Sequence, residues 1–133
     1  MADARDVTST SERRGATILE FALVAPVLLA MLLGIALLGI VFYAEAGLRS
    51  TVEDAARYAT LWPRPSQTQI QARITSKQFG MDPANIVGPT ITFNTTTAPY
   101  YVTITMGYNV TINYILGSQT VALSETRRAY VSS

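Results

Sequence analysis

From Phe21 to Ala44 the chain reads FALVAPVLLAMLLGIALLGIVFYA without one charged residue, and this run decides most of what the chain can become. It exceeds the roughly 20 apolar residues that a helix needs to cross about 30 Å of hydrocarbon. A helix apolar on every face must be buried in a large protein or in lipid. A chain of 133 residues has room for one small domain and cannot enclose such a helix. The run is therefore read as a membrane span over residues 21–44.

Composition removes whole classes of function. The chain has no His and no Cys, which excludes Ser/His and Cys/His catalytic pairs, thiolate nucleophiles, disulfides and the usual His/Cys zinc clusters. Glu53, Asp54, Asp82 and Glu125 form no carboxylate pair at catalytic spacing. Neither a catalytic residue, a cofactor nor a metal ligand is expected, and the chain is not read as an enzyme. The net charge is +1 and the part after the span has no basic run, so a nucleic-acid partner is not expected.

The junction ahead of the span carries the most information. Residues 1–15, MADARDVTSTSERRG, are polar and lack apolar periodicity, and are read as a disordered leader. Arg13 and Arg14 flank the span on its N-terminal side while Glu45 opens the other side. The positive-inside bias then puts the N-terminus in the cytoplasm and the C-terminal part outside. Gly15 offers a protease a backbone without a side chain, and Ala16 would be a small new N-terminus. Glu20 stands at the edge of the apolar helix, where an unpaired carboxylate costs a few kcal/mol. It also has an ordinary reading, as a glutamate at headgroup level near Arg13 and Arg14 that suits the first turn of a helix. Pro26 removes one backbone hydrogen bond, giving either a plain kink or a hinge. Ala30 and Gly34 make a small-xxx-small pair, whereas Gly34 and Gly39 miss the four-residue spacing of a G-x-x-x-G face.

The string R-R-G-A-T-I-L-E-F-A-L-V-A-P resembles the prepilin peptidase signal of type IV pilins: a basic leader ending in Gly, a small residue, then Glu opening a long apolar helix. With the Pro inside the apolar run and A-A-R-Y-A downstream, residues 13–60 look more specifically like the TadE-like family of Tad (type IVc) pilus systems. The resemblance implies cleavage by prepilin peptidase between Gly15 and Ala16. It also implies pairing of Glu20, next to Phe21, with the free amine of Ala16 on a neighbouring subunit, which sets registry. The implied partners are that peptidase, other pilin subunits met through the membrane helix, the Tad inner-membrane platform and the lipid bilayer. The implied location is the bacterial inner membrane, with a single pass, the subunit either staying at the base of the filament or entering a surface pilus. A minor pilin or pseudopilin used for adhesion or secretion is the expected role.

Beyond the span, Leu48, Val52, Ala55, Ala59 and Trp62 recur on one helical stripe, and Arg49, Glu53 and Arg57 fall on a salt-bridged solvent face. Residues 16–62 are read as one helix, amphipathic over 45–62, of roughly 70 Å at 1.5 Å per residue. Pro63 and Pro65 end it. Residues 63–133 are read as a small extracytoplasmic domain. In it, residues 67–79 form a short helix with Ile70, Ile74 and Phe79 inward and Gly80 as a stop, and 81–89 form a loop. Stretches 90–96, 100–106, 108–116 and 119–131 then make an antiparallel sheet of three or four strands, with turns at Gly107 or at Gly117–Ser118 and a break over 94–99. Val102, Ile104 and Met106 line one apolar face, matched by Val110, Ile112 and Tyr114. Tyr100, Tyr101, Tyr108 and Tyr114 read as half-buried sheet residues rather than a contact surface. Glu125, Arg127 and Arg128 read as a solvated strand face. The fold class is α+β.

Two other functions compete. Ala44-Glu45-Ala46 resembles a signal peptidase site and Arg13-Arg14 a twin-arginine signal, so the chain could be exported and released as a binding module. An uncleaved anchor carrying an extracytoplasmic scaffold domain is the third reading.

Overall fold

The computed structural model describes the backbone of residues 4–114 and 117–131, and their side chains from Thr17 onward. The chain is α+β. Helix α1 (Ala4–Ala59) is followed by helix α2 (Gln67–Lys77), a 3-10 turn (Pro83–Asn85) and strands β1 (Ile86–Asn94), β2 (Tyr101–Tyr114) and β3 (Gly117–Tyr130). Two compact units divide at Leu38/Gly39. The first is helix alone; the second holds the rest of α1, α2 and the sheet.

Helix α1 begins at Ala4, inside the segment expected to be disordered. Up to Gly15 that segment contains no Pro or Gly, and Ala4, Arg5, Glu12, Arg13 and Arg14 are strong helix formers, so the helix propagates into it from the apolar run. Pro26 lies within α1, and the helix continues on both sides. At its C-terminal end the helix stops at Ala59, short of the expected Trp62. The chain there tightens into a turn in which Thr60 and Leu61 donate to the carbonyls of Arg57 and Tyr58, and Pro63 forbids continuation.

The expected stripe is the inner face of the domain. Ala44, Leu48, Val52, Ala55 and Ala59 are all buried, and they form one core cluster with Ile70 and Ile74 of α2 and with Ile91, Val102, Ile104, Met106, Tyr108, Val110 and Ala129 of the sheet. Trp62 is not part of it: past the helix end it is 76% exposed. Thr51 is the buried polar exception, and its hydroxyl donates to the Gly47 carbonyl.

Helix α2 starts with a capping box. The Ser66 hydroxyl accepts from the Gln69 amide while the Gln69 side chain accepts from the Ser66 amide, satisfying two donors that the first turn otherwise strands. It ends at Lys77, so Phe79 leaves the inward stripe that Ile70 and Ile74 define.

The sheet has three strands in the order β1-β2-β3, all antiparallel. The two middle stretches expected as separate strands are one, β2. Gly107 is no turn; it pairs with Val87 and Ser124, and a Cβ there would press on Val87 and the Leu123 carbonyl, each at 3.3 Å. β1 starts at Ile86, within the expected loop, because a bulge between Val87 and Thr90 accommodates Gly88, with φ of 93°, and Pro89, which has no N–H to give the ladder. The expected turn pair Gly117–Ser118 instead opens β3, Ser118 opposing Asn113, and the β2–β3 connection falls just ahead of it, after Tyr114, which pairs with Gly117. The break over 94–99 holds as well: the Asn94 amide donates to the carbonyls of Thr97 and Pro99. Val102, Ile104, Met106, Tyr108 and Val110 are buried on one face of β2, whereas Tyr114, at the strand end, is exposed.

Directly opposed residues share a face of the sheet. Glu125 opposes Met106 and Arg127 opposes Ile104, so both sit on the core side of β3 rather than on a freely solvated face. They pair with each other at 3.0 Å, and Arg127 Nε is enclosed without a hydrogen-bond partner. Arg128 faces the other way and lies over the Tyr101 ring at 4.3 Å.

Candidate membrane and assembly segment

Every large apolar residue of α1 from Ile18 to Phe42 is exposed apart from the half-buried Leu37 and Val41, around the whole circumference of the helix: Ile18, Phe21, Leu23, Val24 and Leu28 are 55–72% open. A methyl placed on Gly34 or Gly39 would meet nothing within 4 Å. The helix is long and apolar enough to cross a membrane, and no part of its most apolar window is buried in the protein. Such a surface cannot remain in water, since each exposed Leu, Ile or Phe forgoes about 1.5–3 kcal/mol of burial. One N-terminal helix of this kind fits a single-pass membrane anchor.

Glu20 and Phe21 lie in the first part of this surface, both exposed. Among the described residues, none hydrogen-bonds or ion-pairs with Glu20. Side chains on a helix lean towards its N-terminus, and residues four apart share a face. Glu20 therefore points along the face that includes position 16. The side chains of Arg13, Arg14 and Ala16, like Gly15, lie outside the residues whose side chains are described; their backbone continues α1.

The signal-peptidase-like Ala44-Glu45-Ala46 sits in the middle of α1, with Ala44 3% exposed in the domain core. A peptidase requires an extended, accessible backbone, and cutting there would strip Ala44 from the core. This geometry favours an anchor over release.

Two contacts inside the second unit escaped the sequence reading. Asp54 on α1 accepts two hydrogen bonds from Arg73 on α2, at 2.7 and 3.1 Å, a bidentate clasp between helices. That bond from Arg73 holds the Asp54 carboxyl below its ordinary range, against an opposing effect of burial, and the same bond raises Arg73. No periodicity links positions so far apart. The second contact is an edge-to-face pair of Tyr43 and Phe79, 6.3 Å between ring centres. On the solvent face of α1, Arg57 and Glu53 pair at 2.8 Å as the four-residue spacing predicts.

Among the described residues no group of three or more His, Cys, Asp or Glu side chains converges as a metal site would. A surface depression along Arg49, Glu53, Asp54 and Arg57 is a polar strip of one helix without convergent chemistry.

No curated protein and no solved structure matches the chain. Residues 15–57 match the family of TadE-like proteins, a match that starts at the glycine of the basic junction, runs through the apolar helix and ends within the buried stripe of α1. Over that segment the chain is similar to TadE-like proteins.

Proposed function

We propose that the chain is a minor pilin, or pseudopilin, of a Tad (type IVc) pilus system, cut by prepilin peptidase between Gly15 and Ala16 and then packed through α1 against other pilin subunits. The TadE-like match supports a part in Tad pilus systems. The finer role is supported above all by one observation: an apolar helix exposed on all sides bears, near its start, the carboxylate of Glu20, which no described residue neutralises. In lipid a lone carboxylate is expensive, and so is a lone ammonium. Cleavage at Gly15 would create an ammonium at Ala16, and a neighbouring copy's Glu20 would offset it. Arg13 and Arg14 keep the leader on the cytoplasmic side, where the peptidase and the inner-membrane platform would meet it. The domain from Gln67 onward then stands outside, at the base of the filament or on its surface, serving adhesion or secretion.

The test is Glu20→Gln in the native host. The substitution keeps size and hydrogen bonding but removes the charge. The variant is expected to reach the membrane in ordinary amounts and to be lost from sheared pilus fractions. Undiminished recovery in those fractions would remove the proposed registry.

A further inference from the structure

We propose that Phe79 and the segment around it form a second lipid contact, a foot by which the C-terminal domain rests in the outer headgroup region beside the span. This inference rests on the reading of α1 as a membrane anchor.

Phe79 lies beyond the end of α2 and is 45% exposed, although it is among the most apolar side chains of the domain. Its ring meets that of Tyr43 edge to face, and Tyr43 belongs to the last turn of the uncharged run. The chain is pressed against α1 here without room to spare. Gly80 has φ of 67°, and a Cβ on it would fall 2.6 Å from the Tyr43 ring; a Cβ on Gly47 would collide with the Phe79 carbonyl. Residues 79 and 80 are thereby held at the level of residues 43 to 47, where the apolar run gives way to Glu45 and Arg49.

That level is the water–lipid boundary on the far side of the membrane. Phe42 and Tyr43, 64% and 58% exposed, stand where amphipathic aromatic rings anchor spans at the headgroups. Phe79 adds a third ring from another part of the chain, so the exposed apolar surface of the span continues onto the domain. Lys77, exposed in the last turn of α2, supplies a cation whose stem can lie along lipid while the ammonium reaches phosphate. Lipid is the occupant that this continuity selects. Leu61 and Trp62, which are also exposed, cannot share it: the helix from Tyr43 to Ala59 rises about 24 Å at 1.5 Å per residue.

Trp62 is the single tryptophan, which makes the test direct. The full chain is reconstituted in phosphatidylcholine vesicles in which part of the lipid is brominated on its acyl chains near the headgroup. Three forms are compared: the native chain, Phe79→Trp and Phe42→Trp, the last two also carrying Trp62→Phe. Emission from position 79 is expected to be blue-shifted and quenched, as from position 42, while native Trp62 is unquenched. Quenching at 42 without quenching at 79 would overturn the lipid foot and leave the anchor standing; quenching at neither would overturn both. A shift at 79 that appears only at high protein density, without quenching, would assign the ring to another copy and also overturn the proposal. Should Phe79→Trp fail to fold, a nitroxide on Lys77→Cys, in a chain free of other cysteines, reads the same depth through its accessibility to dissolved oxygen. High oxygen and low aqueous-quencher accessibility is the expected result, and the reverse overturns the proposal.

Discussion

Single residues carry the charge balance and the tight contacts. Asp54 and Arg73 are each over a third exposed, so solvent screens their attraction and the clasp contributes little to stability. Asp54 has its carboxyl depressed when folded, so this stabilisation is present above the ordinary carboxylate value near 3.8 and is lost as pH falls through the lower folded value. Asp54→Asn is therefore expected to lower the melting temperature of the detergent-solubilised chain at pH 7 by a few degrees and to make little difference once the pH has fallen below the folded value. An equal deficit at both pH values would show that packing, not charge, is lost. Gly47 is the stricter position. A methyl group there meets the Phe79 carbonyl, a backbone atom that cannot swing away, so Gly47→Ala is expected to cost about 1–3 kcal/mol and to raise proteolysis near residue 79. Neither residue announced itself beforehand. Asp54 looked like one more charge on a helix, and the glycine like one more small residue, because both partners lie elsewhere in the chain.

Among the elements, α1 was the most legible and the sheet the least. The stripe of Leu48, Val52, Ala55 and Ala59 keeps helical period, and burial follows it; Trp62 keeps the period too but falls past the point where Pro63 ends the helix. Phe79 was misplaced for the same reason, since period says nothing about where a helix stops. Ser66 and Gln69 did hold a usable signal: a serine followed three residues later by a glutamine ahead of an apolar stripe marks a helix start. Gly107, like Gly117–Ser118, invites a turn because glycine commonly makes one, yet here it lets three strands pass closely. The inward placement of Glu125 and Arg127 depends on register, which β2 imposes and β3 alone does not reveal. At this scale two substitutions in α2 separate packing from capping. Ile70 is fully buried, so Ile70→Ala is expected to cost about 2–5 kcal/mol, whereas Ser66→Ala is expected to cost about 1 kcal/mol. Chemical denaturation should rank them in that order; a larger loss from the cap would mean that α2 is held by its first turn rather than by the core.

For the whole molecule, the division between an apolar helix and a small folded unit was readable from where the charges are missing. The uncharged run from Phe21 to Ala44 marks by itself a helix long and apolar enough to span a membrane, while the junction R-R-G-A-T-I-L-E-F is informative only as a combination. Basic flank, glycine, small residue and glutamate each have plain explanations; in that order ahead of a span they resemble a processing signal, and the TadE-like match begins at its glycine. The domain beyond residue 57 lies outside that match, and its chemistry is that of a packed α+β unit rather than of a site. In the proposed function this unit is carried on a helix whose leader is removed and whose new amine is used in assembly. The most direct measurement is the N-terminal sequence of the protein extracted from the membranes of its own host. Processing by prepilin peptidase gives a start at Ala16, while an intact start at Met1 or Ala2, or a start at Gly47, would contradict it.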